Sequence, residues 1–293
     1  MTKPPMTRYL MTRNLVTPTP TTPDAESASA GSPSPTIRGR LLPRAQLTPA
    51  ERAAMLTLLD RHFAGVTPAQ FDLDLAEKQW VILLHDTSGA LMGFTSLRLE
   101  TLEAPISCHL LSSGDTIIDP RAWGGTALMR AWLAAVLALR EYVGRDRPFY
   151  WLLLVSGFRT YRFLPLFWHD FHPRQPSAGA SSLAPRLPPL ARLRYGEAFD
   201  PASGLVRFPR PQRLRPHLAG IPAGRMRDPH VAFFAARNPG HAEGDELVCL
   251  TELDEANLTR AGRRILRALG TSTMVHSGTQ PDPDKVLRPE AEP

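Results

Sequence analysis

The sequence predicts one α/β domain, a mixed central sheet with helices on both faces, and two observations carry that prediction. Residues 111–174 run as an apolar strand, a glycine turn, a long amphipathic helix, a continuous apolar strand and a second, aromatic helix. Strands interleaved with helices are the pattern of an α/β layer architecture. Just upstream, WVILLHDTSGALMGFTSLRLE consists of two apolar runs joined by Asp86-Thr87-Ser88-Gly89. A polar, glycine-containing joint of that length between apolar runs is an antiparallel hairpin.

Taken in order, ordered structure is expected from about Ile37. Thr48-Pro49-Ala50-Glu51 is a capping box with proline at the first helical position. The helix it opens carries Met55, Leu58, Leu59, His62 and Phe63 at helical spacing. Thr67-Pro68-Ala69-Gln70 repeats the start signal for a short helix reaching about Glu77. After the hairpin, Ile106–Leu111 and Gly114–Ile118 predict one or two further strands. From about Gly125 to Val143 the chain predicts a helix apolar nearly all round, hence largely buried. Phe149–Val155, bounded by Pro148 and Ser156-Gly157, reads as a central strand. Phe158–Trp168 predicts a helix kinked near Pro165.

Beyond Gln175 the pattern is weaker. Arg194–Phe199 and Gly204–Phe208 are strand-like, a hairpin over Asp200-Pro201-Ala202-Ser203. His230–Arg237 reads as a short helix stopped by Asn238-Pro239-Gly240, Glu246–Glu252 as a strand, and Asp254–Ala268 as a closing helix. The expected organisation is a tail over 1–37, a core over 38–174, an extension over 175–270 packed on that core, and a second tail over 271–293. The tails are rich in Pro, Ser and Thr and bury too little to offset their ordering entropy.

Composition narrows the function classes. The chain has 293 residues, 43% of them apolar, and a formal charge of +6. No apolar stretch is long enough to span a bilayer and the N-terminus has no apolar run of a secretory signal, so the expectation is a cytoplasmic protein without membrane partners. The positive charge invites a nucleic-acid reading. Yet lysine occurs only at positions 3, 78 and 285, and the arginines of 186–227 lack interleaved aromatics or any zinc or helix-turn-helix pattern. Nucleic acid is therefore not the expected partner. Cys108 and Cys249 sit in apolar strands and read as buried reduced thiols. The close histidine pair, His169 and His172, is not a metal-ligand set, and no metal is expected.

Gly124-Gly125 at the entrance of the long helix is the strongest functional candidate. Backbone N–H groups at a helix start, beside the positive end of its dipole, accommodate phosphate. A glycine pair there equally serves tight helix–strand packing. For a proton acceptor the residues offer His109, with a suitable ordinary pKa, and Asp115, although His109 also reads as a packing residue and Asp115 as a turn cap or arginine partner. Asp119-Pro120 is turn chemistry.

The order of two capped helices, the WVILLHDTSGALMGFTSL hairpin, the strand GDTIIDP, the glycine turn with its helix and the strand YWLLLVS resembles the GCN5-related N-acetyltransferase (GNAT) family. The resemblance covers roughly residues 48–174 and extends toward 253. FFAARNPGHAEGDELVCLTEL is similar to uncharacterised bacterial relatives of that fold. What it implies is an acyl-CoA-dependent N-acyltransferase, acetyl-CoA or another acyl-CoA being the co-substrate and a small-molecule or protein amine the acceptor. The resemblance places the cofactor's pantetheine arm in a gap between two diverging strands, beside Ile117 and Ile118. Its pyrophosphate falls on the amides of Gly124, Gly125 and Thr126, with Arg121 assisting.

Two departures qualify it. The turn Arg121-Ala122-Trp123-Gly124-Gly125-Thr126 keeps the family's arginine and first glycine but ends in threonine, a degenerate version of the loop. Where many members place a tyrosine that protonates the departing thiolate, this chain has Phe167, which leaves Tyr161 as the nearest substitute. Both departures also fit an alternative, a non-catalytic GNAT-like domain that binds a ligand or a protein.

Overall fold

The computed structural model describes residues 37–123 and 125–270. The expectations placed on Gly124 and on the tails 1–36 and 271–293 lie outside the described residues. Ile37, assigned above to the first tail, is buried in the main apolar cluster.

Strand β1 (Arg38–Pro43) leads to helix α1 (Pro49–His62). The Thr48 hydroxyl accepts from the Glu51 amide while Glu51 accepts from the Thr48 amide, the reciprocal cap that the sequence announces. A two-residue strand β2 (Phe63–Ala64) ends that helix, and α2 (Pro68–Ala76) follows with the Thr67 cap. The hairpin is β3 (Trp80–His85) and β4 (Leu91–Leu102). The next strand is single, β5 (Cys108–Ile118), and the long helix α3 spans Ala127–Val143. Then come β6 (Phe149–Val155), α4 (Phe158–Tyr161), α5 (Phe163–Phe167) and β7 (Phe171–His172). The aromatic helix therefore breaks at Arg162, not at Pro165. Pro165 falls in the first turn of α5, where a missing N–H removes no intrahelical bond.

The extension departs further from the sequence reading. Leu187–Tyr195 forms helix α6, so Arg194 is helical and not in a strand. The expected hairpin is there but short, β8 (Phe199–Asp200) and β9 (Leu205–Val206). The rest is β10 (Arg213–Leu214), α7 (Pro216–Ala219), α8 (Pro229–Arg237), β11 (Glu246–Glu252) and α9 (Arg260–Gly270). Segment 175–270 does not pack on a finished sheet. It completes one, because β11 pairs with β6 from Leu247↔Val155 to Glu252↔Tyr150.

The sheet order is β1-β3-β4-β5-β6-β11-β9-β8, with β7 also on β11 and β10 pairing β2 in a separate ribbon. Among the described strands only β5 and β6 run parallel, joined across one face by α3. Side chains alternate faces. Ile82, Leu84, Trp151, Leu153, Leu247 and Cys249 pack under α3, α4, α5, α8 and α9. On the other face the core is in two pieces. Val81, Leu83, Phe94 and Ile117 meet α1 and α2, whereas Cys108, Leu110, Leu152, Val248 and Leu250 meet α6. Cys108 and Cys249 are buried free thiols.

No helix of the described residues is long and apolar enough to cross a membrane. Much of the arginine in the 186–227 stretch is engaged within the chain. Arg194 pairs with Glu77, Arg207 with Asp245 and Arg215 with Asp60.

Candidate active site

The site begins with a fault in strand pairing. Strands β5 and β6 are in register from His109↔Phe149 to Ser113↔Leu153, and there the ladder stops. Beyond it β5 stays with β4, Ile117 opposite Phe94 and Ile118 opposite Gly93, while β6 stays with β11. The cause is a bulge. Thr95 faces Thr116 but Leu97 faces Ser113, so β5 carries an extra residue at Gly114–Asp115. An extra residue bends the bulged strand and raises its twist, and here it opens a gap toward the strands' C-terminal ends.

On the α1/α2/α6 face, the space between the two apolar pieces is polar. Ser96, Ser112 and Lys78 are buried there. The Lys78 side chain lies across Gly114, where a Cβ would come within 2.7 Å of its Cε. Its ammonium donates to the Asp74 carbonyl at 3.1 Å, and burial pulls its pKa down. Asp115 sits in the bulge. Burial, reinforced by Asp74, pushes its pKa up to about 6, with Lys78 opposing. Across the gap, Glu246 opens β11 and accepts from the Ser156 hydroxyl at 2.6 Å. Burial pushes Glu246 up to about 7, the Ser156 bond opposes this, and Asp115 and Asp74 add to the rise. Arg194 at the end of α6 bonds Glu77 at 2.6 Å and ties the two sides of this cleft together. Two carboxylates with raised proton affinity thus flank the strand divergence. Carboxylates of that kind are suited to take up a proton near neutral pH.

The remaining sequence candidates fall elsewhere. His109 lies at the start of β5, the far end from the bulge. It is buried between Thr101, whose hydroxyl is 3.0 Å from Nδ1, and Asp146, and burial lowers its pKa. Tyr161 is fully buried among Phe171, Phe233 and Phe234, and its hydroxyl donates to the Pro173 carbonyl at 2.9 Å. Burial drives its pKa far upward. Tyr161 and His109 are therefore not brought together with Asp115. Phe167 is likewise buried. Glu246 was read only as the first residue of a strand. No local signal marks it, since its significance comes from the strand it pairs with.

At the mouth of the gap, Ile117 points into the α1/α2 core, while Ile118 packs on the opposite face. Asp119 accepts from the Arg121 amide and holds the Arg121 guanidinium through both carboxyl oxygens, at 2.9 and 3.0 Å. Arg121 is otherwise exposed. Thr126 precedes α3 without a side-chain cap, and a Cβ on Gly125 would meet only Ala122 O, at an ordinary 3.6 Å. The place a Gly125 side chain would take is thus open at the entrance of α3. Trp123 stands beside it, its indole N–H donating to the Ile118 carbonyl at 2.9 Å and its ring lying 4.2 Å from the Arg159 guanidinium.

No protein-family model matches this sequence, and no curated protein sequence matches it. Solved structures do. The chain is similar to a GNAT family N-acetyltransferase from Escherichia coli in complex with CoA, at 18% identity and a TM-score of 0.34 over 48% of this chain and 76% of that one. An acyl-CoA N-acyltransferase from Pseudomonas aeruginosa matches at 21% identity and a TM-score of 0.30, over 40% and 79% of the two chains. For glucosamine-6-phosphate N-acetyltransferase from Arabidopsis thaliana the figures are 16%, 0.30, 40% and 81%. The likeness is one of fold. Among the described strands the mixed sheet carries one parallel pair, β5 and β6, which diverges at the bulge.

Proposed function

We propose that this protein is an acyl-CoA-dependent N-acyltransferase acting by direct transfer. The observation that carries the reading is the divergence of β5 from β6 at Gly114–Asp115, with a raised-pKa carboxylate in the bulge and the uncapped start of α3 at the mouth. Bound acyl-CoA supplies an activated thioester. Gly125, Thr126 and the first turn of α3 would hold its phosphates, and the unpaired edge of Gly114–Ile118 would run along its arm. An amine acceptor enters from the α1/α2/α6 face. The amine nitrogen forms the new C–N bond, the C–S bond breaks, and the ammonium proton passes to Asp115. Holding both reactants in one cleft removes much of the barrier. With Tyr161 committed to Pro173, the thiolate is protonated by solvent or by a neighbouring acid and not by that phenol.

A second reading, a non-catalytic GNAT-like binding domain, is favoured by one observation. Trp123 and the segment Pro211–Ala219 stand across the mouth. Isothermal titration with acetyl-CoA and with CoA separates the two. Saturable binding to the wild type, lost in Gly125→Val, is the expected outcome. The backbone at Gly125 is not in the left-handed region, so that variant should fold normally. Absence of binding at millimolar ligand would leave the non-catalytic reading standing.

A further inference from the structure

The segment Pro211–Ala219 touches the turn before β11, the end of β6, the end of α1 and helix α4. It leaves the start of β11, where Pro211 packs against Gly244 and Arg213 Nε donates to the Glu243 carbonyl at 2.9 Å. It then passes the end of β6, where a Cβ on Gly157 would lie 3.1 Å from Leu214 Cδ1. Next it forms the two-residue ribbon of β10 with β2. Arg215 anchors it to the end of α1, its amide donating to the His62 carbonyl at 2.8 Å and its side chain bonding Asp60. Finally the chain turns through α7 to the other side of the mouth, where the Leu218 carbonyl accepts from Arg159 Nη1 at 3.1 Å.

Arg159 is the point at which this strap meets the wall of the gap. Its guanidinium lies 4.2 Å from the Trp123 ring and 4.6 Å from the Phe158 ring, and no ion pair holds it among the described residues. A guanidinium held by two aromatic faces and one carbonyl is a cation still lacking an anion. Phosphate, which it can bind through a planar fork, is a stronger partner than any of these. The Trp123 ring that this guanidinium lies over belongs to the segment that leads into α3.

We propose that Pro211–Ala219 is an autoinhibitory strap over the acyl-CoA entrance, latched by Arg159. A phosphate arriving at the start of α3 draws the Arg159 guanidinium away from Trp123 and the Leu218 carbonyl. The strap is then free to leave the mouth. This rests on the acyl-CoA reading above and adds that the resting form is closed. A protein whose competent state is only partly populated binds with its intrinsic dissociation constant divided by that fraction. Weakening the strap at residues that touch no phosphate should therefore tighten binding.

The test pairs two measurements on the full chain with acetyl-CoA as the probe. In titration calorimetry, Leu214→Ser/Arg215→Ala removes the Gly157 contact and the Asp60 anchor and should lower the apparent Kd by about tenfold, the effect of raising a competent fraction from about 0.1 to nearly 1. In hydrogen exchange of the wild type, the Arg215 amide should lose protection as acetyl-CoA saturates. Should wild type and variant bind alike, with Arg215 protection unchanged on saturation, the strap is a fixed wall and the inference is wrong while the acyl-CoA reading stands. If neither binds at millimolar acetyl-CoA, the acyl-CoA reading itself fails and takes the latch with it. The exchange measurement keeps the question answerable if the double variant folds poorly.

Discussion

Asp115 and Glu246 show what a single side chain's surroundings do to its chemistry. Each would titrate near pH 4 in an unfolded chain, and each is raised when folded, to about 6 and about 7, chiefly by burial. The sign of the consequence is fixed. A carboxyl bound more tightly to its proton when folded contributes stability below its unfolded pKa, and that contribution is lost as pH rises through the folded value. Folding stability should thus fall across pH 4 to 7 by the share these groups hold, against the opposite trend of low-pKa acids such as Asp119 and Glu77. Glu246→Gln keeps a hydrogen-bonding partner for Ser156 and cannot ionise. Urea midpoints at pH 5 and pH 8 should therefore differ less in the variant than in the wild type, with the variant the more stable of the two at pH 8. An unchanged pH slope would show that Glu246 ionises as freely as it does in water. Asp115 was legible in the sequence as a candidate because a carboxylate on or beside a central strand can serve as a proton acceptor. Glu246 was not, because the Ser156 hydroxyl it accepts from comes from a strand end ninety residues away in the chain.

Elements were legible where local chemistry decided them. Both capping signals, the hairpin turn, the crossover helix, β6 and β11 lie where the spacing put them. The short elements β2, β7, β10 and α7 were missed, and so were two longer ones, for different reasons. Helix α6 begins Leu-Pro-Pro, in a stretch whose weak pattern announces no helix, although prolines in a first helical turn forfeit no bond. Strand β1, Arg-Gly-Arg-Leu-Leu-Pro, carries too little alternation to announce itself. It is defined instead by what it pairs with and by one close approach. A Cβ on Gly39 would fall 2.4 Å from the Ala131 Cβ, so β1 lies against α3 only because that position is glycine. Gly39→Ala should cost about 1–3 kcal/mol in a denaturation experiment, the usual penalty for forcing extra volume into a packed site. The companion change Ala131→Gly, damaging alone, should recover part of the loss when combined, as coupled contacts do in a double-mutant cycle. Strict additivity would mean that the two backbones separate without cost and that α3 is not fixed by this contact.

At the scale of the molecule, the sequence marked the right fold, and the sheet runs across the boundary it drew. Its expectation was a core ending near Arg174 with an extension laid on top, a natural inference from the weak patterning after Gln175. The pairing runs across that division. Strand β11 covers the whole free edge of β6, six residues in register, and β9 with β8 continue the sheet beyond it. Both apolar clusters that contain β6 also draw on the extension, through Val231, Phe234, Leu247 and Cys249 on one face and Leu187, Leu190, Val248 and Leu250 on the other. A chain cut after Arg174 would thus expose a long, flat, apolar strand edge and strip both faces beside it, a structure prone to pair with other copies of itself. Residues 1–174 expressed alone should aggregate or lack a cooperative unfolding transition, whereas 1–270 should retain one. A soluble 1–174 fragment with a sharp transition and native-like near-ultraviolet dichroism would establish the sequence boundary after all. It would also free the proposed strap, which belongs to the missing part, and leave acetyl-CoA an open mouth to enter.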